Sequence, residues 1–444
     1  MYHFPESLYA DVRIEDVFQT QITYNGKVLA EARVRSYQAA FIRVFDGKRW
    51  YYSSISDIEG IQDEIDSLAR LACPDENIAS NPIVGKFEIN RGSYLRFENN
   101  AVSDVPLEEK KKLLIPYMEI FSDPLVKTYR LLYVDERKVK RFYSSKGADL
   151  NFDRQSVGIR MDFTLGEEEK KLSESFKHSG TAYEEVLDRE KACRQYLEEC
   201  IAYLRNSTSV EPGKYTVVLS PTVAGVFAHE SFGHKSEADF MVGDERMKKE
   251  WAIGSKVGSE LLNIVDDGNQ PGLGFIPFDD EGTCAQKTYL IKNGLLSGRL
   301  HSAATAADLE ESITGNSRAV SFEYEPIVRM TCTYIESGSE SKEQLIGSIR
   351  DGILVETFKH GSGMSTFTIA PNRSYRIRDG KIAEPVNISV ITGSVFETLG
   401  EIDGVSDRLE LSSLVGGGCG KMEQINLPVG FGGPYVRVRS MNVQ

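Results

Sequence analysis

The sequence predicts an α+β protein with a mixed α/β N-terminal domain, residues 1–208, followed by a β-rich C-terminal domain, residues 209–444. Glycine supports this division, because nine of the 38 glycines precede residue 209 and 29 follow it. Strong helical periodicity is concentrated in the first domain, whereas many short strand-like segments with turn signals fill the second. We expect the C-terminal sheet to be antiparallel and curled, or barrel-like.

The N-terminal domain is expected to begin with strands. Asn25-Gly26 and Asp46-Gly47 are typical of two-residue hairpin turns, because both residue types tolerate positive φ. Residues 126–165 again show the alternation of apolar and polar side chains that a half-buried strand has. These segments supply the β part of the domain.

Three helices are predicted in the same domain. Apolar side chains at helical spacing mark residues 56–73. A second helix is expected to begin after Asp104, with Pro106 in its first turn, and to run to about Phe121. The run Lys110-Lys111-Lys112 on the second helix is expected to be a solvated face rather than a binding patch. The clearest helix covers about residues 182–206. We expect its apolar stripe to lie in the core; the stripe consists of Cys193, Leu197, Cys200 and Leu204.

The C-terminal domain is expected to open with a strand over residues 215–219. A helix follows from Pro221, since the fixed φ of proline suits a first helical turn. This helix leads directly into His229 and Glu230. Further hairpins are predicted at Asn293-Gly294 and Asp379-Gly380.

Composition argues against several functional classes. The formal net charge of −14 opposes nonspecific contact with nucleic acid and with anionic membrane surfaces. No stretch approaches the ~18 apolar residues of a membrane span, and the first residues lack the basic and apolar regions of a signal peptide. The six cysteines contain no Cys-x-x-Cys pair, which is typical of reduced thiols. A cytoplasmic protein is the expectation.

One short segment carries most of the chemical information. His229-Glu230-Ser231-Phe232-Gly233-His234 brings two imidazoles and a carboxylate together in a chain with six histidines. Neutral imidazole binds zinc, and a glutamate beside the metal can take a proton from bound water. The segment therefore indicates a metal-dependent hydrolase.

The spacing of the two histidines differs from that of the zincin motif. Zincin histidines are four residues apart, roughly 40° around a helix, whereas His229 and His234 are five apart, roughly 140°. Both can bind one ion only if the helix ends or bulges between them. Gly233 is suited to such a break.

A third ligand is expected from a distant part of the chain. Cys419, in Gly416-Gly417-Gly418-Cys419-Gly420-Lys421, is a candidate because thiolate binds zinc strongly. A tight turn that contains a cysteine is the alternative interpretation. Two imidazoles and one thiolate would leave a fourth position for water.

Other polar residues have two interpretations each. Glu237 and Asp239 could orient the ligand histidines, or they could be exposed loop carboxylates. Asp279-Asp280-Glu281-Gly282 lacks the EF-hand pattern and is interpreted as a turn. His301 and His360 are isolated in sequence and are expected to be surface or core residues rather than ligands.

Several segments in order resemble the TldD/PmbA family of peptidases, specifically its TldD branch. The resemblance is strong in the C-terminal part and limited to overall layout in the N-terminal part. The segments are His229 to His234 with Glu237 and Asp239, Phe278-Asp279-Asp280-Glu281-Gly282, Leu290-Ile291-Lys292-Asn293-Gly294, Thr314-Gly315-Asn316-Ser317-Arg318, Cys419-Gly420-Lys421 and Leu427-Pro428-Val429-Gly430.

The resemblance implies a zinc ion held by His229, His234 and Cys419, with Glu230 as the catalytic carboxylate. It also implies a two-domain subunit that dimerises around an enclosed cavity. The partner would be a second copy or a PmbA-type paralogue, which lacks the zinc motif. Family members degrade unfolded peptides and process peptide antibiotic precursors.

The sequence thus predicts a zinc-dependent metallopeptidase that hydrolyses unfolded or extended peptides, using a zinc-bound water activated by Glu230. Such a peptide is expected to add as a strand to the β-rich site, with weak sequence preference. The alternative is a catalytically silent scaffold or regulatory subunit of a TldD/PmbA-type complex. A DNA-topology modulator is a third class, which the negative charge opposes.

Overall fold

The computed structural model describes residues 2–363 and 366–444. Its N-terminal part combines one sheet with four helices. The strands are β1 (Tyr9–Asn25), β2 (Val28–Phe45), β3 (Trp50–Ile55), β4 (Arg91–Tyr94), β5 (Val126–Ser144), β6 (Asp149–Glu167) and β7 (Lys170–Gly180). The helices are α1 (Ile61–Leu71), α2 (Pro82–Lys86), α3 (Leu107–Ile120) and α4 (Glu190–Asn206).

The N-terminal sheet has the strand order β3-β2-β1-β5-β6, and both β4 and β7 pair with β6. All pairs are antiparallel except β4 with β6. Helix α1 buries Ile61 and Ile65 against one end of the sheet. Helices α3 and α4 cover the other end, and the predicted stripe of α4 is buried there. Buried apolar clusters thus hold these helices against the sheet.

Two details of the predicted helices are wrong. The segment expected to be one helix over residues 182–206 is divided: a 3₁₀ turn, Tyr183–Val186, precedes α4, and Asp188 between them has a φ of 56°. Lys110 is not on a solvated face. Its side chain is 1% exposed and its Nζ lies 2.6 Å from Asp135, because a buried lysine requires a charged partner.

The C-terminal part is rich in short strands. These are β8 (Thr208–Ser209), β9 (Gly213–Leu219), β10 (Ile264–Asp267), β11 (Lys287–Lys292), β12 (Leu295–Leu296), β13 (Ser317–Arg318), β14 (Ile327–Val328), β15 (Cys332–Ile335), β16 (Asp351–Val355), β17 (Phe358–Gly363), β18 (Thr366–Pro371), β19 (Ser374–Arg378), β20 (Lys381–Asn387), β21 (Ile391–Ser394), β22 (Ile402–Val405), β23 (Glu410–Ser413), β24 (Cys419–Lys421), β25 (Gln424–Leu427), β26 (Gly430–Gly433) and β27 (Val436–Val443). The helices are α5 (Pro221–Ala228), α6 (Glu245–Glu250), α7 (Ala303–Asp308), α8 (Lys342–Gly347) and α9 (Val395–Gly400).

Two larger sheets and two short ribbons organise these strands. The larger sheet runs β17-β18-β21-β27-β9-β16-β19-β20-β8, with β22 also on β27, and the second runs β12-β11-β10-β15-β26-β23. Most pairs are antiparallel, while β9 with β16, β15 with β26 and β8 with β20 are parallel. The α+β class and the β-rich C-terminal part are therefore confirmed, and the sheets of the described residues are open rather than closed into a barrel. None of the described helices is both long and apolar enough to span a membrane.

Helix α5 is packed between the two C-terminal sheets. The Ser220 side chain accepts a hydrogen bond from the N–H of Val223, and Pro221 occupies the first turn. A methyl group on Gly225 would lie 2.4 Å from the backbone nitrogen of Gly432 in β26, so the helix approaches this strand at backbone distance. This close packing fixes the position of the C-terminal end of α5.

The acidic turn at residues 279–282 joins the two parts of the chain. Asp279 accepts hydrogen bonds from the backbone N–H groups of Glu281, Thr283 and Ser317, which is a turn geometry. Glu281 forms an ion pair of 3.1 Å with Arg43 of β2, and Asp280 pairs with a lysine of β5. Because the turn is buried, these pairs tie the C-terminal part to the N-terminal sheet.

Candidate metal centre

The segment after α5 has the irregular backbone that the five-residue spacing predicts. Residues His229–Gly233 form a π-helical turn, in which the N–H of His234 donates to the carbonyl of His229. A 3₁₀ turn, His234–Ser236, follows. A bond between residues five apart brings those two residues to the same side of the helix. The π turn therefore turns both imidazole rings toward one cavity, with centroids 5.1 Å apart.

Gly233 is required by packing at this turn. A Cβ atom at this position would lie 2.1 Å from Sδ of Met330, far inside van der Waals contact. Only glycine allows the π turn to press against this buried methionine. The backbone of Gly233 is in the ordinary right-handed helical region, with φ −55°, so here the missing side chain serves packing rather than a break of the helix.

Cys419 lies at the start of the β24–β25 ribbon. A Cβ on its neighbour Gly418 would lie 2.3 Å from the carbonyl oxygen of Leu427, so the ribbon backbones are in close contact. The fully buried Arg329 donates to the carbonyl oxygen of Cys419 at 2.7 Å and to that of Gln424 at 3.1 Å. These contacts fix the backbone that carries the thiol.

The side chains of His229, His234 and Cys419 converge. One candidate ligand atom from each lies within 4.8 Å of the others. Sγ of Cys419 is 3.4 Å from Nε2 of His234. Among the histidine, cysteine and acidic side chains of the described residues, these three form the group with metal-binding geometry.

The two histidines change the protonation of the thiol. Burial alone would raise the pKa of Cys419, but hydrogen bonds and charge from both histidines outweigh it and lower the pKa to about 5. Burial lowers the pKa of His234, but Cys419 and Glu237 outweigh it and raise this pKa to about 10. Without metal the two residues therefore favour a thiolate and a protonated imidazole at neutral pH; the thiolate is the form that binds metal, and binding through His234 would release its proton.

The residues fit a bound metal on their own chemistry. Nδ1 of His229 is buried and has no hydrogen-bond partner among the described residues, although a buried ring nitrogen normally has one. Two imidazoles and a thiolate are nitrogen and sulfur donors of the kind zinc prefers. Three protein ligands leave one coordination position free, as in catalytic zinc sites.

Charged side chains beside His234 position its ring. Its Nδ1 lies 3.1 Å from Oε2 of Glu237, which is fully buried. Lys421 lies 3.2 Å from the same Glu237 oxygen and donates to Asp239 at 2.7 Å. Glu237 thus orients a candidate ligand, whereas Asp239 contacts Lys421 and not a histidine. A carboxylate on the second ring nitrogen fixes the tautomer and orientation of a metal-binding histidine.

Glu230 lines the same cavity as the three candidate ligands. This cavity has a volume of about 220 Å³, and its remaining walls are mostly apolar, including Val226, Leu414 and Phe431. Leu414 and Phe431 also line a second cavity of about 990 Å³ between the N-terminal sheet and the C-terminal part. The candidate site is thus next to a space large enough for several peptide residues.

The other histidines expected to be non-ligands lie elsewhere. His301 is buried and contacts Glu311 at 2.9 Å and Thr305 at 3.1 Å. His360 is exposed on β17. Sequence reasoning assigned no role to Arg329 or Lys421. For Lys421 a signal existed, because it lies two residues after Cys419 and alternate residues of a strand share a face.

Comparison with known proteins identifies the family of this chain. Residues 212–444 match the sequence model of the PmbA/TldA metallopeptidase C-terminal domain, and residues 10–73 match that of domain 1. A protein named metalloprotease from Methanothermobacter thermautotrophicus is 30% identical over 98% of this chain and 95% of its own length. The zinc metalloprotease TldD homolog of Saccharolobus solfataricus is 27% identical over 98% of this chain and 96% of its own.

The fold is also found in a solved structure. TldE from Thermococcus kodakarensis has a TM-score of 0.76 to this chain, covering 98% of it and 96% of TldE at 17% identity. At that identity the likeness concerns the fold alone. The family assignment rests on the domain model that matches more than half of the chain, and on the relative that is 30% identical over nearly its full length. The chain therefore belongs to the PmbA/TldD family of metallopeptidases.

Proposed function

We propose that this protein is a zinc-dependent metallopeptidase that cleaves unfolded or extended peptides. The single observation that carries the proposal is the convergence of His229, His234 and Cys419 beside the carboxylate of Glu230. The name of the Saccharolobus relative, which includes zinc, supports the choice of metal. The three residues act as ligands and Glu230 as the general base.

Different residues of the chain have different roles in hydrolysis. His229, His234 and Cys419 would hold the zinc ion, which would supply the Lewis acidity that acidifies water and polarises a peptide carbonyl. Glu230 takes a proton from the attacking water on a carboxylate oxygen and delivers it to the departing amine. Glu237 holds the His234 ring in place through Nδ1. Leu414 and Phe431 exclude bulk water, which strengthens electrostatic interactions in the cavity.

The proposed path of the substrate follows β23. This strand is the edge of the six-stranded sheet and pairs only with β26 among the described strands. It lines the large cavity, and Leu414, which follows it directly, lines the small cavity of the candidate site. An edge strand offers free backbone N–H and C=O groups. An extended peptide would pair with these groups and lead its scissile bond toward Glu230.

A glutamate-to-glutamine exchange tests the proposal. We expect Glu230→Gln to keep stoichiometric zinc and to lose roughly 10²–10⁴-fold in peptide cleavage, the usual worth of a general base. Glu260→Gln, at an 83% exposed carboxylate, is the matched control and should retain full activity. Metal analysis and cleavage of an unfolded peptide are measured on the same samples.

The outcomes separate the alternatives. Undiminished turnover in Glu230→Gln would remove the proposed general base. A wild-type protein that binds zinc and cleaves no peptide, alone or with a paralogue, would support the silent scaffold or regulatory subunit instead. Cys419→Ser should lose zinc and cleavage together, and a variant that keeps both would contradict the assigned ligand.

We also propose a two-domain subunit with its boundary near residue 209, which works as a dimer. Separate hydrophobic clusters on the two sides of this position support the boundary, as does the family match that begins at residue 212. The shared fold with TldE is compatible with a second subunit of the same family.

A further inference from the structure

One turn of the C-terminal part lies between the proposed substrate edge, β23, and the candidate thiol ligand. It runs from Leu414 to Gly417, and the N–H of Gly417 donates to the carbonyl oxygen of Leu414 at 3.2 Å. Gly416 has a φ of 69° at the third position, where a type II turn requires a positive φ. The turn follows β23 directly, and Gly418 alone separates it from Cys419. A displacement of this turn would therefore move the edge, the thiol or both.

The tip of this turn packs into the N-terminal sheet at a glycine of β6. Val415 is 1% exposed, and a Cβ atom on Gly158 would lie 2.7 Å from its Cγ1 and 2.9 Å from its Cγ2. Both distances are well below the ~3.5–4.0 Å of carbon atoms in contact. A glycine inside a strand often marks a close approach of this kind. The side chain of Val415 therefore occupies the space that any larger residue at position 158 would need.

Two further contacts hold the same turn. Leu132 and Arg160 are directly opposite each other on β5 and β6, and Arg160 shares a strand face with Gly158. A Cβ on Gly416 would lie 2.6 Å from Cδ2 of Leu132. Nη1 of Arg160 donates to the carbonyl oxygen of Val415 at 3.5 Å, a long hydrogen bond. Leu132, Gly158 and Arg160 thus form one recess, the β6 recess, which contacts the turn at three points.

The backbone before Cys419 depends on such contacts for its position. Three consecutive glycines, Gly416 to Gly418, supply no side chains that could anchor it, and glycine has the greatest backbone freedom of all residues. After these glycines, the chain is held by the β24–β25 ribbon, where Gly418 approaches Leu427. Before them, it is held by Val415 in the β6 recess. Cys419 is thus positioned by two anchors, one from each part of the chain.

We propose that the β6 recess is a positioning element of the candidate metal centre, with Gly158 as its central residue. Val415 in the recess fixes the turn, and the turn fixes both Leu414, at the end of β23, and Cys419. The inference rests on the proposed function, since the task of the recess is to hold the substrate edge and the metal ligand in a fixed relation. Such positioning matters, because a displacement of about 1 Å can cost about 100-fold in rate.

Gly158→Ala in the full-length protein tests the role of the recess. The new methyl group should push the turn out of the recess, because valine is stiff at χ1 and cannot easily turn both Cγ atoms away. We expect zinc affinity, measured by competition with a chelator, to weaken by about tenfold or more. With zinc in excess, kcat should fall by about 10–100-fold. The absorption spectrum of the protein loaded with cobalt(II) should also change, since it reports ligand geometry.

A second substitution should reverse these effects. In Gly158→Ala/Val415→Ala both Cγ atoms are gone, and the closest remaining contact would be 3.3 Å between the two Cβ atoms. This double variant should regain most of the zinc affinity and the wild-type cobalt spectrum. Val415→Ala alone leaves the recess partly empty and should show a smaller loss.

Ile159→Val is the matched control for lost stability. Ile159 is adjacent to Gly158 but points to the opposite face of β6, where it is buried in the cluster beneath α3 and α4. Removing one methylene there should lower the melting temperature. Zinc affinity and the cobalt spectrum should stay at their wild-type values.

Three results would overturn the inference. A folded Gly158→Ala protein with wild-type zinc affinity and cobalt spectrum would show that the recess does not position the site. A double variant as impaired as Gly158→Ala would place the cause in β6 itself rather than in the contact with Val415. If Gly158→Ala does not fold, Val415→Ala decides, and an unchanged metal site in that variant would be the third. The metal measurements need no substrate, so a wild type that binds zinc and cleaves no peptide would refute the peptidase alone.

Discussion

The ring of His234 is held at both nitrogens, by Cys419 on Nε2 and by Glu237 on Nδ1. Its position therefore depends on a residue that is not itself a candidate ligand. Carboxylates in this relation to metal-binding histidines raise ligand basicity and fix ring orientation. At the scale of single residues, Glu237 is the positioning group to test.

Glu237→Gln should weaken zinc affinity by about 10–100-fold. The amide keeps the size of the side chain but removes the negative charge beside Nδ1 and Lys421. Asp239→Asn is the matched control, because Asp239 contacts Lys421 and no histidine. Competition with a chelator of known affinity measures both. Equal losses in the two variants would show that Lys421, rather than the Glu237–His234 contact, sets the affinity.

At the scale of elements, the π turn joins backbone geometry to the site. Gly233→Ala should destabilise the protein by about 1–3 kcal/mol, because a Cβ would overlap Sδ of Met330 at 2.1 Å. Gly85→Ala, in α2 with open space around it, is the control and should be neutral or slightly stabilising. Urea unfolding gives both values.

The double variant Gly233→Ala/Met330→Ala identifies the cause. Removing the methionine side chain opens space for the new methyl group, so the double variant should lose less stability than the sum of the single losses. A strictly additive result would mean that the backbone of the π turn, and not the contact with Met330, requires glycine.

The five-residue spacing of the two histidines predicted the irregular turn after α5. On a regular helix, two side chains five residues apart point to different sides. His229 and His234 could therefore line one cavity only if the helix became irregular between them. The same local reasoning gave the hairpins at Asn293-Gly294 and Asp379-Gly380, where both residues of each pair have positive φ. The burial of Lys110 could not be predicted in this way, since Lys110 is on α3 and its partner Asp135 is on β5, and the local charge pattern carries no information on such a pair.

The carboxylate of Glu136 on β5 makes the stability of the fold depend on pH. Burial would raise the pKa of Glu136, but Arg154 and Lys138 outweigh it, together with a hydrogen bond from Gln19, and lower the pKa to about 2. The pKa of an unfolded glutamate is about 4.3. The carboxylate therefore stabilises the fold above about pH 4.3, and this contribution is lost as pH falls through about 2.

Glu136→Gln should remove the part of the pH dependence of the unfolding free energy that the Glu136 carboxylate contributes. The difference in unfolding free energy between wild type and variant should shrink by up to about 3 kcal/mol between pH 5 and pH 2. Urea unfolding at several pH values measures it. A difference that stays constant over this range would mean that Glu136 titrates alike in the folded and unfolded chain.

At the scale of the whole molecule, the sequence could not place the third candidate ligand. Cys419 and His234 are separated by 185 positions, and their contact depends on the approach of Gly418 to Leu427 and on Arg329 beneath the ribbon. The sequence also could not predict that β9 and β16 pair in parallel, because the alternation of apolar and polar residues is the same for both strand directions. Residue chemistry made Cys419 a candidate, with a tight turn as the alternative, and the family resemblance then favoured its role as a ligand beside the histidines.

The position of β23 beside the two cavities bears on how substrates are distinguished. If recognition uses the free edge of β23, backbone groups of the peptide matter and side chains matter little. N-methylation of one peptide amide removes a donor on one side of the strand. Methylation at alternate positions should therefore reduce kcat/KM by about tenfold, the worth of about one strand hydrogen bond, while the intervening positions change little.

Scrambled versions of the same peptide are the control, and they should be cleaved at similar rates and without a shared consensus. Folded proteins should resist cleavage, since their strands are already paired. A single sharp consensus across unrelated peptides, or equal tolerance of N-methylation at every position, would mean that side-chain pockets rather than the β23 edge select the substrate. In that case the side chains in the walls of the 990 Å³ cavity, and not the β23 edge, would determine specificity.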